Sequence, residues 1–302
     1  MADAAKEAKR KETLGNEPLD VRVFSWFDDR FYKVRYINEM KQEVEEYFPS
    51  VTTKLGALDE PFLRRWYGQV GLEEALRVLR ESADRGSRIH WAWQFYCNGG
   101  AIIYNPDSSA PYQPGEIQAI RDKYDGNIFT LRTQDEMFQM AKLMEWEKLV
   151  APRENRTEQI VYDIDEKDAG TLDNLMLIDE GEYEIAGAKP LKLEAGWYVV
   201  DLKTGNNISS KAPMQVARYA AIVEKMYAKE EHPIKVVGGL IIHTSASTRK
   251  GIEGLQTIHI PREELVELNQ DYKDIAKVWN RQMSSQKPMV RQLPAMIAKN
   301  VS

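Results

Sequence analysis

The sequence predicts an α/β protein, and the order of its apolar patterns is the basis of that prediction. Apolar residues recur at helical spacing over residues 72–98 and 134–150. After residue 150 the pattern changes to short apolar and β-branched runs of strand length, interrupted by one helical pattern over residues 212–229. Strands followed by a crossover helix and further strands are typical of an α/β core, which here carries additional helices.

Composition places the chain among globular proteins. The 302 residues are 43% apolar and 29% charged, and their number suits one large domain, or one domain with an added subdomain. No run approaches the roughly 18 apolar residues of a membrane-spanning helix, so we expect no membrane partner. The first residues are of mixed charge and lack a hydrophobic segment, unlike a signal or transit peptide. We therefore expect a cytoplasmic protein.

The cysteine count and the net charge exclude further classes. Cys97 is the only cysteine, so the chain cannot form an internal disulfide, a cysteine-based zinc site or a four-cysteine iron–sulfur cluster. A reducing compartment is the simplest interpretation. The formal net charge is −6, so any binding of DNA would have to use a local basic surface.

The N-terminal half begins with a polar segment. Residues 1–20 are polar and lack periodicity, which predicts a disordered arm. Aromatic and β-branched residues between 21 and 36 favour a short strand or hairpin. We assign residues 21–150 to a mainly helical N-terminal region.

Within that region, Ser50 or Thr52 is suited to cap a short helix. Gly86 is expected to divide the pattern over 72–98 into two helices. A further helix is predicted over 134–150.

The second half is predicted to form the core, residues 151–260, followed by a C-terminal helix and tail, residues 261–302. Apolar and β-branched runs predict its strands, at 160–162, 170–178, 197–202, 235–243 and 255–260.

Asp201 and Lys203 lie two residues apart at the end of a predicted strand, directly before a turn at Thr204-Gly205. Residues two apart on a strand share a face, so the carboxylate and the ammonium project together. Such a pair can hold a divalent metal ion and polarise an attacking water. The triplet is short enough to recur by chance, and a surface ion pair is the ordinary alternative.

Asp173 adds a second carboxylate from a neighbouring predicted strand. It follows Gly170, which permits a turn or a close backbone approach. Alone it is typical of an ordinary turn aspartate. Combined with Asp201 and Lys203, it predicts a hard-cation site with positions open for water and phosphate.

Two helices carry further candidates. His90 and Gln94 lie one turn apart on the same helix face, although a lone helical histidine is more often structural than a ligand. Gln215 and Tyr219 share a face of the helix after Lys203. They can bind a phosphate, hold a catalytic side chain, or simply form the polar edge of an amphipathic helix.

The order of these motifs resembles the RecB-like branch of the PD-(D/E)xK nuclease superfamily. The matching segments are Gly86 to His90, Glu158, Gly170 to Asp173, Asp201 to Gly205, and Gln215 to Tyr219. Residues 49–53 and 61–66 are also similar to the opening of the mitochondrial genome maintenance exonucleases and related phage nucleases. The resemblance covers roughly residues 48–245. Each motif is weak alone, whereas five in order are specific.

The resemblance implies a restriction-endonuclease-like fold, in which helices flank a central mixed β-sheet, here with an N-terminal helical region. It implies a metal-dependent deoxyribonuclease, an exonuclease more than a sequence-specific endonuclease, that uses Mg²⁺ or Mn²⁺ and no iron–sulfur cluster. The implied setting is repair, recombination or phage DNA metabolism in a bacterial or phage-infected cell. A single-strand-binding or recombination protein is a candidate partner.

The resemblance also implies a ligand set. His90, Asp173 and Asp201 would be side-chain ligands of the metal, and the Leu202 carbonyl would complete the set. Gln94 stands where many relatives carry an acid, which leaves open whether one or two metal ions take part.

Four other residues receive roles through the resemblance. Lys203 would orient the attacking water or stabilise charge on the phosphorane. Glu158 would be an auxiliary acid or a ligand of a second metal. Gln215 and Tyr219 would position the catalytic strand and the DNA phosphate.

DNA binding and the competing functions are less sharply defined. Basic residues near the predicted His90 helix and in one later loop are candidates for contacting single- or double-stranded DNA. They are Arg64, Arg65, Arg85, Arg88 and Arg249. The alternative is that they are ordinary solvated surface charges. One competing function is a non-catalytic nucleic-acid-binding or assembly protein on a nuclease fold, which the intact Asp173, Asp201 and Lys203 argue against. The other is a structure- or sequence-specific endonuclease.

Overall fold

The computed structural model describes residues 18–26, 29–104, 114–185, 190–244, 255–283 and 288. Most of the predicted N-terminal arm, and nearly all of the tail after residue 283, lie outside these residues. Within them no helix combines the length and the apolar character needed to cross a membrane.

The described residues form strands and helices that we label in chain order. The strands are β1 (Pro18–Trp26), β2 (Asp29–Ile37), β3 (Glu43–Pro49), β4 (Ala101–Tyr104), β5 (Ile128–Leu131), β6 (Glu154–Asp163), β7 (Asp168–Ile178), β8 (Gly181–Tyr183), β9 (Leu191–Leu193), β10 (Gly196–Lys203), β11 (Val236–His243) and β12 (Gln256–Pro261). The helices are α1 (Val51–Leu55), α2 (Pro61–Val70), α3 (Leu72–Cys97), α4 (Pro114–Lys123), α5 (Gln134–Val150), α6 (Ala212–Met226) and α7 (Arg262–Gln282).

A five-stranded mixed sheet lies at the centre of the fold, with strand order β12-β11-β10-β7-β6. Strand β10 is parallel to β11, and Lys203 lies opposite His243 in that register. Strand β10 is antiparallel to β7, and β11 is antiparallel to β12. Helix α6 supplies the long crossover that parallel neighbours require. The predicted α/β fold with a central mixed sheet flanked by helices is therefore confirmed.

The remaining strands form three small sheets. Strands β1, β2 and β3 form an antiparallel sheet, in which Tyr32, Val34 and Tyr36 of β2 recur at the two-residue period of a half-buried strand. The other two are a parallel pair, β4 with β5, and an antiparallel pair, β8 with β9. The sequence predicted a strand or hairpin at 21–36, and the structure adds β3 to it.

The chain divides into two compact units. The smaller contains the described residues up to 57, residues 162–170 and those from 275 onward. Within it Lys54 and Asp168 form an ion pair whose side chains are almost completely buried. The larger unit contains residues 58–161 and 171–274, and it holds every candidate site residue that the structure describes.

The core of the larger unit is a cluster of buried apolar side chains. It combines residues of α3 and α5 with residues of the central strands, among them Ile89, Trp93, Leu143, Trp146, Met176, Val200 and Leu202. Removal of this apolar surface from water is the main favourable term in folding. Because Leu202 belongs to this cluster, its neighbours in β10 are held at the edge of a packed core.

Helix α3 corrects one expectation. Gly86 was expected to break the helical pattern, but α3 runs without interruption from Leu72 to Cys97. A glycine is needed at this point because helix α3 contacts the residue that follows β10. A Cβ atom on Gly86 would lie 2.9 Å from Oγ1 of Thr204, so the missing side chain lets the helix approach the end of β10.

Ser50 is the cap of helix α1, one of the two residues predicted for that role. Its side-chain oxygen accepts a hydrogen bond from the Thr53 backbone N–H. The sequence-based domain boundaries at residues 20, 150 and 260 remain predictions.

Glu136 joins α3 to the first turn of α5. Its carboxylate accepts hydrogen bonds from Nε of Arg88 and from the Arg132 backbone N–H, both at 2.8 Å. Thr133 and Glu136 also form a capping box at the start of the helix. Burial alone would raise the pKa of the Glu136 carboxyl, but Arg88 and the backbone donors outweigh burial and lower this pKa.

We expect Glu136→Gln to lower the free energy of unfolding by about 1–3 kcal/mol, because Arg88 loses its buried, charged partner. The stabilisation by ionised Glu136 is present above the ordinary pKa of 4.5 and disappears as the pH falls through the lower folded pKa. Urea unfolding of both proteins at about pH 7 and about pH 4 measures this difference. The difference should be smaller at the acidic pH.

The exposed Glu145 on the same helix supplies the control. Glu145→Gln should leave the unfolding free energy nearly unchanged. Equal effects of the two substitutions would contradict the role assigned to Glu136.

Candidate metal centre

Neighbouring strands of the central sheet place two aspartates at one end of β10. Strands β7 and β10 pair as far as Val200 and Asn174. Just beyond this pair, Oδ2 of Asp173 accepts a hydrogen bond from the Leu202 backbone N–H at 2.7 Å. Asp201 directly precedes Leu202 in the sequence and is 3% exposed. The two carboxylates predicted to share a site therefore lie on adjacent strands.

Helix α3 brings His90 to the same position, more than 80 residues before Asp173 in the sequence. Nδ1 of His90 is 3.2 Å from Oδ1 of Asp173. The helix is fixed on both sides of His90. Ile89 is fully buried in the core, and Nε1 of Trp93 donates a hydrogen bond to Oδ1 of Asn174 at 3.0 Å. The predicted juxtaposition of His90 with the aspartate is confirmed.

Glu158 comes from β6 and completes a group of three potential ligands. One ligand atom from each of His90, Glu158 and Asp173 lies within 4.8 Å of the others. The backbone of Glu158 has a φ of +49°, a left-handed conformation that is uncommon for a non-glycine residue inside a strand. Such strain costs about 1–3 kcal/mol and is concentrated at functional sites. The strained backbone accompanies a side chain placed among potential ligands.

Lys203 balances part of the negative charge. Its Nζ lies 2.7 Å from Oδ2 of Asp201 and 3.5 Å from Oε1 of Gln215 on α6. Asp201 is buried, whereas the Lys203 side chain is 25% exposed. Asp201 and Lys203 thus form the strand-end pair that the sequence predicted, with Gln215 as a second neighbour of the ammonium.

The pKa values reflect this crowding of charge. Burial disfavours the charged imidazolium of His90, but Asp173, Asp201 and Glu158 outweigh burial and raise its pKa to about 9. Burial raises the pKa of Asp201 to about 6, with Asp173 acting in the same direction and Lys203 opposing. The pKa of Asp173 is lowered, because its interactions with His90 and Lys203 outweigh its burial. Without a metal, His90 and Lys203 serve as the counter-charges of the carboxylates.

The donor set suits a divalent cation. Carboxylate oxygens are the ligands that Mg²⁺ and Mn²⁺ prefer, and an imidazole shifts the preference towards Mn²⁺. His90, Glu158 and Asp173 supply such atoms close together, and Asp201 lies within electrostatic reach of His90 and Asp173. The arrangement can therefore hold a cation by replacing the proton of His90.

Tyr219 and Leu202 were also predicted to belong to the site. Tyr219 lies one turn after Gln215 on α6 and is 3% exposed. Leu202 takes part through its backbone N–H, and the proposed role of its carbonyl remains a prediction.

The candidate DNA-binding arginines mostly pair with acids of the same unit. Arg88 binds Glu136, Nε of Arg85 lies 3.6 Å from Oδ2 of Asp135, and the exposed Arg64 pairs with Asp59. Nε of Arg65, also exposed, donates to the Pro61 carbonyl. Arg249 lies outside the described residues. Their roles in DNA binding remain predictions.

Sequence reasoning missed the polar residues next to Asp173. Asn174 accepts a hydrogen bond from Nε1 of Trp93 and donates through Nδ2 to Oδ1 of Asn155 at 2.7 Å. The position of Asn174 directly after Asp173 was the available signal. Nothing in the sequence predicted the left-handed backbone conformation of Glu158.

No protein-family model matches the chain, and no curated protein matches it.

We expect Glu158→Asn to weaken the binding of Mn²⁺ by about tenfold or more, because the site loses one carboxylate ligand. The metal-free protein should unfold at the same temperature or a higher one. Asparagine tolerates the left-handed conformation better than glutamate, and the substitution removes one of several like charges. Calorimetric titration with Mn²⁺ and thermal unfolding in a chelator measure the two effects.

Glu154→Asn is the matched control, since Glu154 is exposed on the same strand. It should leave Mn²⁺ affinity unchanged. An unchanged affinity in Glu158→Asn itself would remove Glu158 from the proposed ligand set.

Proposed function

We propose that the protein is a metal-dependent DNA nuclease that hydrolyses phosphodiester bonds, and that it acts as an exonuclease. The observation that carries this proposal is the convergence of His90, Glu158 and Asp173, from three separate elements, beside the Asp201–Lys203 pair. Buried groups with strongly shifted pKa values are typical of sites that carry out chemistry. The resemblance to RecB-like nucleases supports the choice of substrate and of exonuclease action.

The residues present fit a resident Mg²⁺ or Mn²⁺ ion. His90, Glu158, Asp173 and Asp201 would hold it, through an imidazole nitrogen and carboxylate oxygens. A bound divalent cation supplies charge neutralisation of the phosphate and lowers the pKa of a coordinated water.

We assign to Lys203 the role of acting on the reacting atoms. Its ammonium is a compact point charge with three donors, suited to orienting a water or to stabilising negative charge that develops on a phosphate. Asp201 and Gln215 hold it at the end of β10. Burial lowers the pKa of Lys203, but Asp201 and Asp173 outweigh burial and raise it. The residue therefore acts as a positive charge and not as a general base.

Asp173 is held by groups that leave it ionised. The Leu202 N–H and His90 bind its two oxygens, which fixes the orientation of the carboxylate. A carboxylate that is ionised and oriented in advance loses little freedom when a cation binds.

A covalent mechanism has less support. Burial foremost, together with Glu147, raises the pKa of the Cys97 thiol to about 12, which leaves almost no thiolate at neutral pH. Hydrolysis by a water molecule needs no protein nucleophile, and the grouping of acids with Lys203 suits that reaction.

Digestion of end-labelled DNA tests the proposal. Linear single- and double-stranded DNA and covalently closed circles are incubated with the protein and Mg²⁺, Mn²⁺ or Ca²⁺. We expect products from linear DNA with Mg²⁺ and at least as much with Mn²⁺. Cleavage of closed circles would replace the exonuclease assignment by an endonuclease. DNA binding without products under any condition would favour a non-catalytic binding protein.

Lys203→Ala is expected to reduce the rate of cleavage by about 10²–10⁴-fold, as is typical for the loss of one catalytic group. DNA affinity measured in Ca²⁺ should change little, since the ammonium acts on charge that develops during the reaction. The matched control is Lys192→Ala, because Lys192 is 75% exposed and pairs with Glu182 on a small separate sheet. Normal cleavage by Lys203→Ala would reduce Lys203 to an ion-pair partner of Asp201.

A further inference from the structure

The end of strand β11 holds the chain directly after Lys203. In the parallel register, His243 lies opposite Lys203. The next residue, Thr244, donates its backbone N–H to the Lys203 carbonyl at 3.0 Å. His243 and Thr244 are 4% and 0% exposed, which is unusual for polar residues at the end of a strand. Neither residue belongs to the proposed ligand set or to the five segments that resemble nuclease motifs.

His243 binds the turn that follows the catalytic strand. Its Nε2 lies 2.6 Å from the Gly205 carbonyl oxygen. A carbonyl oxygen can only accept a hydrogen bond, so Nε2 carries the proton. The bond spans 38 residues of sequence and fixes the backbone two residues after Lys203.

The same turn touches the helix that carries His90. Thr204 is largely buried, and its Oγ1 occupies the space beside Gly86 of α3, where a Cβ atom would approach to 2.9 Å. Gly86 lies one helical turn before His90 and therefore on the same side of the helix. A shift of the Thr204-Gly205 turn would be transmitted to the position of His90.

We propose that His243 is a positioning residue, which holds the Thr204-Gly205 turn against Gly86 and thereby sets the spacing between His90 and the carboxylates of β7 and β10. The inference rests on the proposed function, because its purpose is a correctly spaced metal site. The contacts that support it, from His243 to Gly205 and from Thr204 to Gly86, are independent of any bound metal.

Thr244 anchors the strand end separately. Its hydroxyl donates to Oε1 of Gln139 at 2.5 Å, and Nε2 of Gln139 donates to Asp135 on the same helix. The Gln139 network and the pairing in the middle of β10 and β11 do not depend on the imidazole of His243, whereas the Leu202 and Thr244 N–H groups lie next to the turn that it holds. Loss of the imidazole should therefore loosen the turn and these adjacent amides while the sheet remains folded.

Two substitutions of similar size separate the hydrogen bond from the packing. His243→Gln keeps an N–H donor at about the reach of Nε2, and His243→Leu fills the space without a donor. Amide hydrogen exchange in the metal-free protein is measured at Leu202 and Thr244, whose N–H groups bind Asp173 and the Lys203 carbonyl. Mn²⁺ affinity is measured by calorimetry on the same samples.

We expect His243→Leu to accelerate exchange at these two amides by about tenfold, as for the loss of one hydrogen bond. Exchange at Val199, in the middle of β10, should not change. Mn²⁺ affinity should fall by about tenfold or more, the usual effect of losing a group that orients ligands. His243→Gln should restore both quantities to within about threefold of the wild type.

Two further variants complete the test. Gly86→Ala disturbs the same contact from the helix side and should also weaken Mn²⁺ binding. His259→Leu is the control, because His259 is a half-buried histidine on β12 that lies opposite Leu240 of β11. This substitution should leave Mn²⁺ affinity unchanged.

Unchanged exchange and unchanged Mn²⁺ affinity in His243→Leu would overturn the proposal, and so would equal losses in His243→Leu and His243→Gln. If the wild type itself binds no Mn²⁺, the proposed function fails. In that case the exchange rates at Leu202 and Thr244 still decide whether His243 holds the turn.

Discussion

The site depends on counter-charges that offset the repulsion between closely spaced carboxylates, of which Asp201 is buried and Asp173 and Glu158 are partly buried. Asp173 and Asp201 lie on neighbouring strands with Glu158 close by, and burial of one such charge without a partner is costly. Two cations make the arrangement possible: His90, from a distant helix, and Lys203, from the same strand as Asp201. The nearby carboxylates raise the pKa of His90, and burial together with Asp173 raises the pKa of Asp201. A divalent cation would relieve the same repulsion more completely than a proton does.

The rest of the larger unit keeps these groups in place. The paired strands β7 and β10 fix the two aspartates, and the apolar cluster under Leu202 and Ile89 holds the helix against the sheet. Gly86 permits the close approach of that helix to Thr204, and Glu136 ties the helix to α5 through Arg88. Polar groups held by several neighbours in this way are typical of preorganised sites, where little reorganisation is needed when a ligand binds.

Much of this arrangement could be predicted from the sequence, because it is carried by local patterns. The strand containing Asp201 and Lys203 follows from its apolar run, and α5 from its helical periodicity. The short strands β4 and β5 were missed, since four residues carry too little periodicity. The closeness of His90 to Asp173 required the resemblance to known nucleases, because spacing along the chain does not predict contacts across more than 80 residues.

Two features lay beyond any local pattern. A glycine inside a helical pattern usually indicates a break, and only the neighbouring Thr204 explains why Gly86 leaves α3 intact. The left-handed backbone of Glu158 is not indicated by its residue type. Both residues lie at the candidate site. Local rules are expected to fail most often at functional positions.

The central claim, that these residues form a divalent-cation site, is tested most directly by X-ray diffraction from crystals soaked in Mn²⁺, with data collected for the anomalous signal of manganese. The structure predicts an anomalous peak about 2.0–2.3 Å from a ring nitrogen of His90 and from carboxylate oxygens of Glu158 and Asp173. The peak should disappear in crystals of Asp173→Ala. No peak at this position with saturating Mn²⁺, or a peak bound only elsewhere on the molecule, would contradict the claim.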